Sequence, residues 1–173
     1  MHHAMNATDR DALKQQLPVL IRHEGVWDGI YQYFDVNGVK TGEHGSRLLC
    51  RFPHKGRYPY HQTNIYTHAD GRSEIRDFPA RVEDGRLRWD NALIDGWAAD
   101  VALDTFGRTS MLYWVRPDEP ALYLYEMIHL SDCGQHRARV WQRFRDGELI
   151  ERTLIKERKV SDDWQAFEPA AAA

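Results

Sequence analysis

The stretch YHQTNIYTHADGRSEIRDFPARVEDG, residues 60–85, contains the pattern from which the fold is read. Over Tyr60 to Thr67, the residues Tyr60, Gln62, Asn64 and Tyr66 alternate with His61, Thr63, Ile65 and Thr67, the period of two that belongs to a strand. Asp70-Gly71 and Asp84-Gly85 then supply turn dipeptides in which a glycine takes up the positive φ of a tight reversal. The same punctuation continues on both sides at Asn37-Gly38, Lys55-Gly56, Asp95-Gly96, Phe106-Gly107, Cys133-Gly134 and Asp146-Gly147, with Pro117 to Pro120 filling the one gap. Between the turns lie segments rich in tyrosine, tryptophan, valine, isoleucine and threonine, which suit a pleated, half-buried surface. So long an antiparallel run must hide its edges, and the short connections leave no room for the crossovers of a sandwich. The expectation is an all-β fold, a closed antiparallel meander β-barrel of about 8–10 strands.

One segment reads differently. From Thr8 to about His23 the apolar positions Leu13, Leu17, Leu20 and Ile21 fall at helical spacing behind a Thr8 cap, and Pro18 argues for a kink or an early stop. One short N-terminal helix is therefore expected to open the domain.

The chain has 173 residues, 42% of them hydrophobic and 28% charged, with a net charge of -3. That length fits a single domain with a real core, placed at residues 6–165. Met1 to Met5 resemble a tag remnant, and residues 166–173, ending in Ala170 to Ala173, read as a flexible tail. No apolar run approaches the ~20 residues of a membrane span. The weak negative charge argues against nucleic acid, although arginines cluster between Arg137 and Arg158. Cys50 and Cys133 lack ligand-like spacing and read as free thiols. With no secretory leader visible, a reducing cytoplasm is the expected location. A homodimer is left open.

The stretch His23-Glu24-Gly25-Val26-Trp27-Asp28-Gly29-Ile30-Tyr31 carries a Gly-x-Trp followed by a second glycine, and it resembles the opening strand of lipocalin and fatty-acid-binding barrels. The resemblance implies that the tryptophan plugs the barrel floor. Tyr60 to Thr67, leading into Ala69-Asp70-Gly71-Arg72, resembles a bacterial lipocalin-like domain family of unknown function in the calycin superfamily, over about residues 20–160. Gly25-x-Trp27-x-Gly29 also resembles the haem-binding nitrobindin barrels, in which a histidine near the C-terminus ligates iron. Here Tyr31 stands in place of that family's third glycine, and Arg137 to Val160 contains no histidine, so haem ranks as the alternative.

Several residues carry candidate chemistry. Alternation along Ala121 to Leu130 places Glu126 with Leu122, Leu124, Ile128 and Leu130 on one face. A carboxylate there without a cation would be desolvated and suited to acid/base work, whereas a neighbouring arginine would make it a structural pair. His61 and His129 lie at mid-strand and are the histidines named as proton shuttles, with His129 on the face opposite Glu126. For ligand binding the same alternation selects Gln62, Asn64 and Tyr66, with Trp27, Tyr31, Trp89 and Asn91 adding to the wall. The competing reading has these amides and phenols satisfying one another. In related fatty-acid-binding barrels a late-strand arginine holds a ligand carboxylate. That resemblance selects Arg152 ahead of Arg143, because Ala138, Val140, Gln142 and Phe144 read as the inward face of their strand.

No histidine pair forms a metal motif, and no phosphate loop or nucleophile elbow occurs, so neither metal nor cofactor is expected. The expected function is binding of a small apolar or aromatic molecule in the barrel, with cofactor-independent isomerase, cyclase or lyase chemistry as its extension.

Overall fold

Asp-Gly turns close two of the hairpins. Asp84 and Gly85 adopt φ of 50° and 71°, and Asp146 and Gly147 adopt 51° and 84°, the paired positive values of a turn whose twist matches that of its strands. In the computed structural model, described over residues 7–53 and 57–169, such turns link ten antiparallel strands. These are β1 (Gly25–Phe34), β2 (Lys40–Arg51), β3 (Tyr60–Thr67), β4 (Ser73–Glu83), β5 (Arg86–Asp90), β6 (Asp95–Val101), β7 (Thr109–Arg116), β8 (Glu119–Leu130), β9 (His136–Arg145) and β10 (Glu148–Ser161). Each strand pairs with its sequence neighbours, and β1 pairs with β10 from Val26↔Ser161 to Phe34↔Arg152, so the meander is a closed barrel as expected. The Lys55-Gly56 turn and the ends Met1 to Met5 and Ala170 to Ala173 lie outside the described residues.

The Asp95-Gly96 pair is not a turn. The reversal comes earlier, where Asn91 Oδ1 accepts from the backbone N–H groups of Leu93 and Ile94 at 2.8 and 3.0 Å. Gly96 lies inside β6, where a Cβ would stand 2.2 Å from the Tyr113 carbonyl and 2.6 Å from Trp114 Cβ. The glycine serves close packing there rather than chain reversal.

The N-terminal helix is shorter than its apolar spacing suggests. Helix α1 covers Ala7–Gln16, Pro18 interrupts it, and a 3-10 turn follows at Leu20–His23. The Thr8 cap rests on a side chain outside the described residues. Asp100 of β6 substitutes at the second start, accepting from the N–H groups of Val19 at 2.6 Å and Leu20 at 3.1 Å. Leu13, Leu17 and Leu20 thereby join the buried cluster that contains Trp27, Cys50, Phe52, Tyr60 and Leu130. They close the barrel end where β1 begins and β2 ends.

Part of the expected tail contacts the barrel. Arg51 pairs with Glu168 at 2.9 Å and lies over the Trp164 ring, and Arg47 lies over Phe167. The segment through Glu168 thus lies along the outer face of β2, where Leu49 is fully buried. Among the described residues no helix is long and apolar enough to cross a membrane.

Candidate functional site

Inside the barrel, side chains that point inward divide by depth. Toward the closed end they are sealed: Trp27, Tyr31, Leu48 and Leu130 are fully buried. Toward the opposite end Tyr33, Leu112, Trp114 and Trp141 also face inward and pack on that core, yet stay partly exposed. An inward aromatic that still meets solvent marks a barrel end that the chain's own side chains do not fill. At its rim, Tyr33, Thr41, Gly42, Arg143 and Glu151 line an open depression of about 370 Å³, a volume within the range of small-molecule sites.

The floor beneath this mouth is a buried ion cluster. Glu126, on the inward parity of β8 as expected, is 2% exposed and accepts from Arg139 Nε. Arg139 Nη1 donates to Glu157 Oε1 at 3.2 Å and to the Tyr31 hydroxyl at 3.0 Å, and Arg137 Nε donates to the other Glu157 oxygen. Two carboxylates and two guanidiniums alternate, so the cluster carries no net charge, the condition under which buried charges are tolerated. Burial pushes the Glu157 carboxyl up, but Arg137 and Arg139 outweigh it and hold it below the usual carboxylate range. Gly29 makes the space, since a Cβ at that position would stand 2.4 Å from Glu157 Cγ.

His23 completes the floor. Its Nδ1 lies 3.2 Å from Arg137 Nη1, and burial, then Arg137, keep its pKa well below the usual histidine value, so the ring is a neutral acceptor. Trp27 lies under Arg137, 4.4 Å from ring centroid to guanidinium, and donates to the His23 carbonyl at 2.8 Å. It is the floor plug that the barrel resemblance implies and has no exposed surface for a ligand.

One wall is polar. Tyr60 donates to Gln62 Oε1 at 2.9 Å, Gln62 to Asn64 Oδ1 at 2.8 Å, and Asn64 to the Tyr66 oxygen at 2.7 Å. The expected alternation of β3 holds, and its amides and phenols satisfy one another in a single direction. Each group along this chain donates to the next until Tyr66, whose own proton remains. Burial raises the Tyr66 pKa against the opposing Asn64 bond, so the phenol stays protonated and able to donate. Trp89 faces inward and donates to the Phe78 carbonyl at 3.3 Å. Asn91 spends its oxygen on the β5–β6 turn.

Three expected residues lie on the outer face. His61 is paired with Asp77 at 3.3 Å, and His129 lies 3.4 Å from Thr109 Oγ1; strand alternation turns both away from Glu126. Arg152 is exposed. A bulge between Leu149 and Glu151 shifts β10 so that Glu151, Thr153, Ile155 and Glu157 turn in and Arg152 turns out. In β9 the inward set is Arg137, Arg139, Trp141 and Arg143, the reverse of the apolar parity that the sequence suggests.

Sequence reasoning missed Arg139, Glu157 and His44. β9 alone carried no signal for them: the inward carboxylates that call for inward cations on β9 lie on β8 and β10, which only the closed sheet brings to its two sides. His44 stacks on Tyr31 with ring centroids 4.8 Å apart and lies 3.3 Å from the Tyr33 hydroxyl. Burial, then His68, lower its pKa, so it is a neutral imidazole at the mouth beside two phenols. Among the described residues its Nε2, Trp141 Nε1, Ser46 Oγ and Arg143 Nε are buried without partners. No cluster of three metal-ligating side chains occurs among the described residues.

No family model and no curated protein matches the chain. Solved structures do. An S-type phycobiliprotein lyase, CPES from Guillardia theta, superposes with a TM-score of 0.63 at 11% identity over 81% of this chain and 89% of its own. A protein of the DUF3598 family from Nostoc punctiforme gives 0.62 at 13% identity over 82% of this chain and 49% of its own, so this chain spans about half its length. Rv2717c from M. tuberculosis gives 0.54 at 16% identity over 83% and 96%. At such identities the likeness is one of fold: this chain is similar to these proteins as a closed ten-strand antiparallel barrel.

Proposed function

We propose that the protein binds a small, flat, largely apolar or aromatic molecule in the open half of its barrel. The observation that carries this reading is the partial exposure of inward-facing Tyr33, Leu112, Trp114 and Trp141 above a fully sealed floor. The rings supply apolar contact, while the Tyr66 hydroxyl and the unpartnered Trp141 Nε1 offer donors to a ligand oxygen. The S-type phycobiliprotein lyase among the structural neighbours supports a barrel of this shape serving small-molecule chemistry.

The test compares native with denaturing mass spectrometry of freshly purified protein and titrates it with 1-anilinonaphthalene-8-sulfonate. Expected is either a co-purified mass lost on unfolding or saturable one-to-one dye binding, weakened at least tenfold by Trp141→Leu and unchanged by the outer-face substitution Tyr125→Glu. Dye binding lost with Tyr125→Glu instead, or neither a co-purified mass nor saturable binding, overturns the reading.

A second reading, acid/base chemistry on the bound molecule, is favoured by His44 rather than Glu126. Glu126 has the cation that removes it from the role of a free base, whereas His44 is neutral and beside the mouth. His44→Gln should then abolish turnover of a bound substrate while retaining its affinity; equal loss of both would leave binding alone.

A further inference from the structure

The inward turn of the β9 arginines leaves its mark outside. With Arg137, Arg139, Trp141 and Arg143 inside, the outer parity of β9 carries Ala138, Val140, Gln142 and Phe144. Strand register aligns these with equally uncharged neighbours. Trp97, Tyr113 and Tyr125 form one row, and Met111, Met127, Val140 and Leu154 the next. On β7, β8 and β9 no outward residue within Thr109–Val115, Ala121–His129 or His136–Phe144 is Asp, Glu, Lys or Arg. Charge returns at the edges, with Asp95 on β6, where Arg86 also lies over the Trp97 ring, and with Arg152, Lys156 and Arg158 on β10. Across the barrel, outer positions of β2 and β4 carry Glu43, Arg47, Arg51, Asp77, Arg81 and Glu83.

This face is open to solvent. Tyr125 is 47%, Met127 39% and Leu154 44% exposed, and the aromatic rings pack on one another, Tyr113 with Tyr125 at 5.1 Å and Tyr123 with Phe144 at 5.3 Å between centroids. The chain covers one outer apolar position itself, laying the Trp164–Phe167 segment where Leu49 is buried. No described segment covers the larger face. Strands about 4.8 Å apart, each contributing about eight residues at ~3.4 Å, give roughly 390 Å² for the uncharged β7 to β9 and roughly 650 Å² with the flanking β6 and β10. Monomers rarely expose more than a few hundred Å² of contiguous apolar surface, and a stable interface takes about 800 Å² from each partner.

We propose that the outer face of β6 to β10 is the contact between two copies of this chain. Its area approaches what a stable dimer needs. Its chemistry suits a second copy as well: the uncharged centre of the face, laid two-fold on itself, desolvates no unpaired charge, its aromatic rings meet aromatic rings, and Asp95, Arg152, Lys156 and Arg158 stay at the rim. A charged partner surface would lose hydration here and find no counter-ion in return.

Sedimentation equilibrium from low to high micromolar protein tests this. The expected mass is twice the 20.3 kDa of one chain, falling to that of a single chain, with dissociation strengthened at least a hundredfold, in Tyr125→Glu/Met127→Glu. Far-UV circular dichroism of the variant should be unchanged, because both positions are on the surface. If the double variant aggregates, Val140→Glu is to give the same single-chain mass. A wild-type protein that stays at single-chain mass throughout, or a folded variant that keeps the double mass, overturns the proposal. So does a monomer that floats with phosphatidylcholine vesicles and loses this in the variant, which would assign the face to a lipid surface.

Discussion

Trp27 and Trp141 both point into the barrel beside an arginine, yet their surroundings differ. Trp27 is sealed beneath Arg137, its Nε1 bonded to the His23 carbonyl. Trp141 lies 5.6 Å from Arg139, keeps part of its ring in solvent and has no partner for its Nε1. The same pairing of aromatic and cation therefore does two jobs. At the floor, where both partners are enclosed by α1 and the ion cluster, it is part of what holds the barrel shut. At the mouth, where the Trp141 ring stays partly exposed, it is part of the surface proposed to meet a ligand. If that division is right, substitutions at the floor should be read in stability and substitutions at the mouth in binding.

The sharpest way to break the comparison is Glu157→Ala. It leaves Arg137 and Arg139 buried with one carboxylate between them, and a loss of about 3–5 kcal/mol is expected in urea unfolding. A loss under ~1 kcal/mol would mean that the floor is wetter than its burial implies. Next comes Gly29→Ala, whose added methyl would meet Glu157 Cγ and the Lys156 carbonyl. Overpacking of this kind costs about 1–3 kcal/mol, and Glu157→Ala in the same chain should relieve part of it.

Acid should strike the floor before the mouth's ligand contacts. The folded pKa of His23 lies below its unfolded value, so the unfolded chain binds the extra proton first and stability falls as pH drops below about 6.5. By pH 5 this contributes at most about 2 kcal/mol, and His23→Gln should flatten that part of the curve. Glu157, also depressed, contributes stability that is present above the usual carboxylate pKa and lost as pH falls through its folded value. A stability curve flat from pH 7 to 5 would remove the neutral, buried His23.

At the mouth the ranking reverses. Trp141→Leu is expected to cost about 1 kcal/mol of stability, since its ring is only partly buried, while weakening dye or ligand binding at least tenfold. Arg152→Ala should be the quietest change, within about 0.5 kcal/mol and without effect on binding, because the β10 bulge turns the side chain outward. Reduced affinity in that variant would restore Arg152 as a ligand anchor.

Much of the architecture was readable along the chain. Glycine turns fixed where strands end, because positive φ is a local demand, and alternation gave the inward face of β3 and of β8, because amides in one case and aliphatic residues in the other marked a single parity. Trp27 and Glu126 were found inside for the same reason. The exceptions have local causes. Gly96 looks like a turn residue but answers to Tyr113 and Trp114 on the next strand, and Arg152 was misplaced by a one-residue bulge that no spacing reveals.

β9 marks the boundary between what sequence and tertiary structure decide. Hydrophobicity alone turns Val140 and Phe144 inward, and that inference is sound for a strand whose neighbours are apolar. The sequence by itself determined that β9 alternates between arginines and apolar residues; it did not determine which set enters the barrel. That choice was made by Glu126 and Glu157, far apart in sequence and brought to either side of β9 by closure of the sheet. A buried guanidinium becomes tolerable only when carboxylates share its enclosure, and those partners exist only once the barrel has formed.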